Sequence, residues 1–318
     1  MIGYAFAFVF LYKMKSPHLI SNARVLFSPL NWGMGHVGRS IPLLQQLIKQ
    51  GNTVLIACNE DQKSFYQCYF DSIPFIDHAG YAFQFKPSGF SKTMFLATLP
   101  KLIARHFKEL GVTRKWVKEH KIDYVISDQR YGFRCASCTS VFVTHQATLP
   151  LPRTYFPLQV LNTYLLKKFD VCWIVDDASN ATAGKLSKTK LKNAHFIGML
   201  SRFKGRQTIE KKDSEILLLN GPKEFHPLLL NTFLSKHPQI DTLIGDVQNP
   251  TFDRIHIIRS NDWTAIDKAM VSAKKIYSFC GYSTKMDVFF LGCDWECIPT
   301  PGQWEQEYLY SLKTKKPQ

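Results

Sequence analysis

Residues 280–309 read CGYSTKMDVFFLGCDWECIPTPGQWEQEYL, from Cys280 to Leu309. Gly281 is a turn glycine, and Ser283 and Thr284 lead from it into a short helical pattern that carries Asp287. A second short apolar run follows and ends in Pro299-Thr300-Pro301-Gly302. Another helical pattern then opens with Gln303, Glu305 and Gln306. The stretch is two successive βα units, each presenting polar side chains and free backbone N–H groups at a helix start. Helix starts attract anions, and a carboxylate nearby can hold a ribose diol. The arrangement suits a ligand that carries both phosphates and sugar hydroxyls.

Near the other end, residues 23–48 read ARVLFSPLNWGMGHVGRSIPLLQQLI. An apolar strand around Val25 to Phe27 meets a loop with Gly33, Gly35 and Gly38, and a helix follows through Leu43, Leu44 and Leu47. Glycines permit tight turns and close approach of a ligand to the backbone. Their G-x-G-x-x-G spacing also occurs in dinucleotide-binding folds, so the loop by itself is unspecific.

Taken together, the two segments resemble the glycosyltransferases of the family 28 (MurG-like) type. Gly35-His36 matches the Gly-His that closes the family's first loop, and 280–309 matches its nucleotide-sugar half-site. The resemblance implies an α/β chain with two Rossmann-like doubly wound domains facing a cleft, the GT-B architecture. Its limits fall at 1–22 for an apolar extension, 23–200 for an acceptor-side domain, 201–213 for a linker and 214–318 for a nucleotide-sugar domain. Ser201-Arg202 fits the family's exit from the first domain.

The resemblance also assigns roles. Asp287 would accept hydrogen bonds from ribose hydroxyls, Gly281, Ser283 and Thr284 would meet the diphosphate, and Gln303, Glu305 and Gln306 would meet the donor sugar. The alternative for Asp287 is an acid on the helix dipole, and Ser283 is equally read as an ordinary N-cap. Asn220-Gly221-Pro222-Lys223 is a shortened counterpart of the family's second glycine loop, with Lys223 free to approach phosphate as a point charge. Phe279-Cys280 depart from the polar or basic pair expected ahead of Gly281, which puts donor affinity in question. On the acceptor side stand Gly33, Gly35, Arg130, His145 and Gln146.

His36 is the first base candidate, because imidazole can take a hydroxyl proton near neutral pH. Asp128 is the second, at a predicted strand end, with Arg130 as its ion-pair partner or as a ligand for an acceptor phosphate. Structural roles fit the same residues: His36 bonding its own loop, and Asp128 with Arg130 as a salt bridge. Asp176-Asp177 and Asp294 form no Asp-x-Asp metal motif, and the family handles the leaving diphosphate with helix starts. No metal and no cofactor are expected, the nucleotide sugar being a substrate.

Composition bounds these readings. The 318 residues are 45% hydrophobic and 20% charged, which describes a globular chain with room for two domains. The eight cysteines are scattered. Cys135-Ala136-Ser137-Cys138 lacks the second ligand pair that a zinc site needs. They read as buried thiols of a reducing, cytoplasmic compartment. The net charge of +15 attracts polyanions. It collects at Lys185, Lys188, Lys190 and Lys192, and again from Lys101 to Lys118. No nucleic-acid signature accompanies it, so peripheral contact with an anionic membrane at its inner face is the partner expected after the nucleotide sugar and an unknown acceptor. Residues 1–11 are apolar but too few to span a bilayer.

Between the two ends, strands are predicted at 53–58, 73–76, 124–127, 141–144 and 171–175, with helices near 64–70 and 90–121. A second alternating series starts at Glu215. Alternation of this kind predicts parallel sheets. Rival readings are a nucleotide-sugar epimerase or hydrolase on the same architecture, a degenerate nucleotide-sugar-binding protein, and a nucleic-acid binder that would show steep salt dependence.

Overall fold

The run Val25-Leu26-Phe27 shows no polar alternation, the pattern of a strand covered on both faces. The computed structural model describes residues 16–81, 92–180, 182–206, 213–247 and 254–314. In it the run lies in β1 (Arg24–Pro29), with all three side chains fully buried. The first unit continues through α1 (Gly35–Lys49), β2 (Thr53–Cys58), α2 (Glu60–Gln67), β3 (Phe75–Asp77), α3 (Lys92–His120) and β4 (Tyr124–Asp128). It closes with β5 (Thr139–Thr144), α4 (Phe156–Leu166), β6 (Val171–Ile174) and β7 (Ala194–Phe196).

These strands pair in parallel in the order β3-β2-β1-β4-β5-β6-β7. Helix α1 buries Val37, Ile41, Leu44 and Leu47, apolar residues at helical spacing. Val117 of α3 joins Leu26, Leu55, Val125 and Phe133 in a second layer of core. The strand order reverses between β1 and β4, where Pro29 lies opposite Asp128. In open α/β sheets this is where ligands bind, beyond the carboxyl ends of the strands.

A second unit begins at Ser201. It contains β8 (Ser214–Leu218), α5 (His226–Phe233), β9 (Thr242–Ile244), β10 (His256–Ile258) and α6 (Trp263–Ser272). β11 (Ala273–Phe279), α7 (Tyr282–Leu291), β12 (Asp294–Ile298) and α8 (Trp304–Thr314) complete it. Its parallel sheet has the order β10-β9-β8-β11-β12, with the reversal between β8 and β11. Helix α7 stops at Gly292, whose φ of 59° is left-handed, a conformation glycine takes without a Cβ penalty.

Several details differ from the sequence reading. Ser201 to Arg206, expected in a linker, is bonded into the second unit through Ser201, Arg202 and Arg206; 207–212 lie outside the described residues. Of the expected extension, 1–15 also lie outside them. Ile20 is buried, and its carbonyl accepts from Asn52 Nδ2 at 2.8 Å. Helix α2 starts at Glu60, four residues before its predicted start, because Asn59 and Gln62 form a reciprocal capping box. Helix α4 had no counterpart in the sequence reading. Its polar residues sit on the side that faces the protein. No helix among the described residues is long and apolar enough to cross a membrane.

Candidate active site

At the reversal point of the first sheet, the loop after β1 delivers the start of α1 beside the end of β4. Gly33 holds a φ of 89° in that loop, a region where non-glycine residues are strained. Gly35 opens the helix, and Met34 at the N-cap supplies no side-chain hydrogen bond, so the first backbone N–H groups of α1 are left uncapped. His36 is the second residue of the helix and Arg39 the fifth; three residues apart, they share a face.

Both reach Asp128. His36 Nδ1 lies 3.2 Å from Asp128 Oδ1, an ion-pair distance but off the line that an N–H···O bond needs. Arg39 Nε donates to Asp128 Oδ2 at 2.9 Å, and its Nη2 donates to Oδ1. Arg39 Nη1 also lies 2.9 Å from His145 Nδ1. A guanidinium can only donate, so this nitrogen of His145 accepts. Gln129 reaches the same His145 nitrogen at 3.4 Å and Thr144 Oγ1 at 3.2 Å, and Gln146 reaches His145 Nε2 at 3.3 Å. The first unit therefore brings together His36, Asp128, His145 and Gln146, all predicted, and Arg39, which was not. Its place at i+3 from His36 on an amphipathic helix was the signal for it.

The electrostatics divide the roles. Burial lowers the pKa of His36, the Arg39 charge lowers it further, and Asp128 only partly opposes them. The imidazole is therefore neutral at pH 7 and able to accept a proton. Burial alone would raise the Asp128 carboxyl, but the Arg39 charge beside it overcomes this and holds the group below the usual carboxylate range. Asp128 stays ionised and is a poor base. This corrects the ion-pair partner expected of it: Arg39 holds the carboxylate, which also lies against His36.

Arg130 is a second correction. It does not pair with Asp128 and is not placed to meet a ligand, since its side chain is fully buried. Its Nε donates to Glu109 Oε1 at 2.6 Å, its Nη1 to the Pro29 carbonyl at 3.2 Å, and its Nη2 lies 2.7 Å from His78 Nε2. Tyr81 Oη also donates to Glu109. The cluster locks α3 and the strand ends around the site. Glu109, His78 and Tyr81 escaped the sequence reading because no motif links them.

In the second unit, the predicted donor residues gather at the corresponding reversal point. Asn220, just after β8, bridges it: Nδ2 donates to the Phe279 carbonyl at 3.0 Å and to Thr284 Oγ1 at 3.1 Å, and Oδ1 accepts from Phe279 N at 2.8 Å. Gly221 has a φ of 76°, and a Cβ there would meet Phe279 at 3.3 Å. Phe279 and Cys280 are wholly buried. They form the floor under the loop, which explains their apolar character. Gly281 occupies the N-cap of α7 and offers no side-chain bond. Ser283 is therefore inside the helix and not its cap.

Asp287 is the sixth residue of α7, not at its start as expected. Its Oδ1 accepts from Ser201 Oγ at 2.6 Å and its Oδ2 from Arg202 at 2.9 Å. Burial raises its pKa, with Arg202 and Ser201 opposing. Arg202 also donates to Asp267 at 2.7 Å, so Asp287 anchors the entry segment of the second unit. Gln306 is similarly turned inward. Its Oε1 accepts from Thr300 N at 2.9 Å and from Thr300 Oγ1 at 3.0 Å, and its Nε2 donates to Gln303 Oε1 at 2.7 Å. These bonds shape the Pro299–Gly302 turn, leaving Glu305 as the half-buried acid at the second position of α8. Lys223 is exposed and lies 3.7 Å from Asp246 Oδ2.

The same order of elements, two parallel sheets each with a reversal point, occurs in solved structures. The glycotransferase of kitacinnamycin is similar over 93% of this chain and 88% of its own, with a TM-score of 0.61 and 13% identity. The fold is GT-B. A Polygonum tinctorium UDP-glucosyltransferase that glucosylates indoxyl shares this GT-B fold over 90% and 82% of the two chains, with a TM-score of 0.60 and 11% identity. S. aureus MnaA bound to UDP matches over 92% and 88%, with a TM-score of 0.54 and 11% identity. Neither a family model nor a curated protein matches the chain.

Proposed function

We propose that this GT-B protein is a glycosyltransferase that moves a hexosyl group from a nucleotide-diphosphate donor, UDP-linked, to an acceptor hydroxyl. The observation that carries this reading is the half-buried His36, whose Nδ1 lies against Asp128 at the uncapped start of α1. His36 Nε2 takes the proton of the acceptor hydroxyl as its oxygen bonds to the anomeric carbon. The bond from that carbon to the diphosphate oxygen breaks, and the nucleotide diphosphate leaves with the electron pair. A single displacement inverts the anomeric centre. Asp128, beside Nδ1, stabilises the imidazolium that forms.

Asn220-Gly221 and the open N-terminus of α7 fit the diphosphate, because unpaired backbone N–H groups and the helix dipole both favour an anion there. Helix-start stabilisation serves the leaving group in this scheme without a metal. Neighbours crystallised with UDP or thymidine diphosphate support a nucleoside diphosphate as the ligand class. Family 28 membership rests on the motif resemblance.

Calorimetric titration with UDP, TDP, GDP and ADP tests the donor site. The proposal expects saturable binding selective for UDP, followed by UDP release from a UDP-sugar when an acceptor is present and loss of that release in His36→Ala. No binding of any of the four would sink it. A second reading, a protein that binds nucleotide sugar without turnover, is favoured by the Asp287 carboxylate being held by Ser201 and Arg202. It predicts binding with no release under any acceptor.

A further inference from the structure

The segment ahead of α7 carries no cation for a diphosphate. Asn220 occupies both backbone groups of Phe279, and the Phe279 ring is fully buried under Gly221. The amide of Cys280 donates to the Ile298 carbonyl, and that of Gly281 to the Phe279 carbonyl. A diphosphate that leaves with its electron pair gains most from charge-assisted hydrogen bonds. Such a donor has to come from another segment beside the Asn220-Gly221 turn.

His226 is placed there. A short turn of 3₁₀ helix over Lys223–Phe225 leads from Pro222 to His226, the first residue of α5. It folds the chain back so that His226 Nε2 lies 3.4 Å from the Gly221 carbonyl. A carbonyl only accepts, so Nε2 carries the proton of the neutral ring and Nδ1 keeps its lone pair. Among the described residues, Nδ1 has no hydrogen-bond partner. The half-buried ring thus rests on the glycine whose Cβ position abuts Phe279 and Thr300. Asn220 on the other side of that glycine bonds Thr284 in the first turn of α7.

The charges around the ring set its state. Burial pushes the His226 pKa below 6.5; the Gly221 carbonyl opposes this, Lys223 adds to it, and Asp246 and Glu224 work against it. Asp246 accepts from Ser260 N at 3.2 Å and from Ser260 Oγ at 2.6 Å, and these bonds hold its carboxyl below the ordinary range. Lys223, Glu224 and Asp246 therefore keep constant charge near neutral pH, and the imidazole is the group among them that titrates there. With no anion bound the ring is neutral at pH 7. A diphosphate beside Nδ1 favours the charged ring by direct attraction.

We propose that His226 binds the donor diphosphate through Nδ1 as an imidazolium, taking the place of the cationic or polar side chain that Phe279 lacks. The inference rests on the reading of the second unit as the donor site. One proton from solvent adds to Nδ1 as the diphosphate enters, and no covalent bond to carbon or phosphorus changes. Binding should tighten as pH falls through the imidazole pKa of the complex and weaken as pH rises above it.

Calorimetric titration of the full chain with UDP, in buffers of different ionisation heat at about pH 7, compares the parent with His226→Gln. The parent should take up more protons per UDP, by a fraction up to one; protons exchanged by the nucleotide's own phosphate are common to both chains and cancel. His226→Gln should weaken UDP binding about tenfold near pH 6, and by less near pH 8.5, where the parent ring loses its charge. His226→Lys should bind as the parent does near pH 6 and more tightly than it near pH 8.5. Equal proton uptake by the parent and His226→Gln overturns the inference whatever happens to affinity, because a ring that only props the Gly221 turn moves no proton. Unchanged affinity in His226→Gln at both pH values overturns it as well. No UDP binding by the parent defeats the donor site itself, and this inference with it.

Discussion

Arg39 sets the working state of the first-unit site. Its guanidinium takes both oxygens of Asp128, which His36 also needs, and it bonds His145. Two outcomes are expected for Arg39→Leu. The His36 pKa should rise, because a lowering charge is removed while the raising effect of Asp128 remains; imidazole NMR titration reads this directly without a substrate. Stability should fall by about 3–5 kcal/mol, since a buried carboxylate loses its main partner, and denaturant melts measure that. Asp287 poses the opposite question. If it binds ribose, Asp287→Ala lowers UDP affinity; if it only anchors Arg202, the variant melts earlier while its calorimetric UDP affinity is unchanged, and the ribose assignment is then wrong.

Loops and helix starts carry the next layer of control. Gly221 lies in the left-handed region against Phe279, so Gly221→Ala should cost about 1–2 kcal/mol and reduce nucleotide binding by moving Asn220, as thermal melts and titration would show. In the first unit, Glu109, Arg130, His78 and Tyr81 tie α3 to the ends of β1 and β3. Burial would raise the Glu109 pKa, but His78, Arg130 and Tyr81 bring it down to about 2 from an ordinary 4.5. A depressed carboxylate stabilises the fold above pH 4.5, and that stability is lost as pH falls toward 2. The loss is on the order of 3 kcal/mol. Burial also lowers the His78 pKa below 6.5, so the unfolded chain takes up a proton there first. The two groups act in the same direction, and Glu109→Gln should flatten the decline of stability between pH 4.5 and 2 in acid-titrated melts.

At the scale of the molecule, each unit has its own sheet and its own reversal point. A nucleoside diphosphate should therefore slow hydrogen exchange at 220–221 and 281–285 much more than at 36–39, and equal protection at both would contradict a donor site on the second unit. The sequence by itself determined the alternation of strand and helix, because unbroken apolar runs and glycine turns are local signals. The same local signals placed Gly33, His36, Asn220 and Gly281 in the loops and helix starts that follow strands. The partners of the charged groups were not legible. Asp128 and Arg39 are 89 residues apart, and the sequence offered Arg130, two residues from Asp128, as the nearer choice. The structure instead sends Arg130 to Glu109 of α3, because Gln129 takes a φ of 60° just after β4 and Ser127 Oγ bonds the Arg130 backbone. Asp287 likewise meets Ser201 and Arg202 from a distant segment. Helix α4 went unread because its inward side joins the buried Leu166 to Asn162, which bonds Tyr131 and Ala147, while other apolar residues stay exposed. Local pattern depends on neighbours in the chain, whereas ion pairs and the facing of an ambiguous helix depend on which segments the tertiary fold brings together.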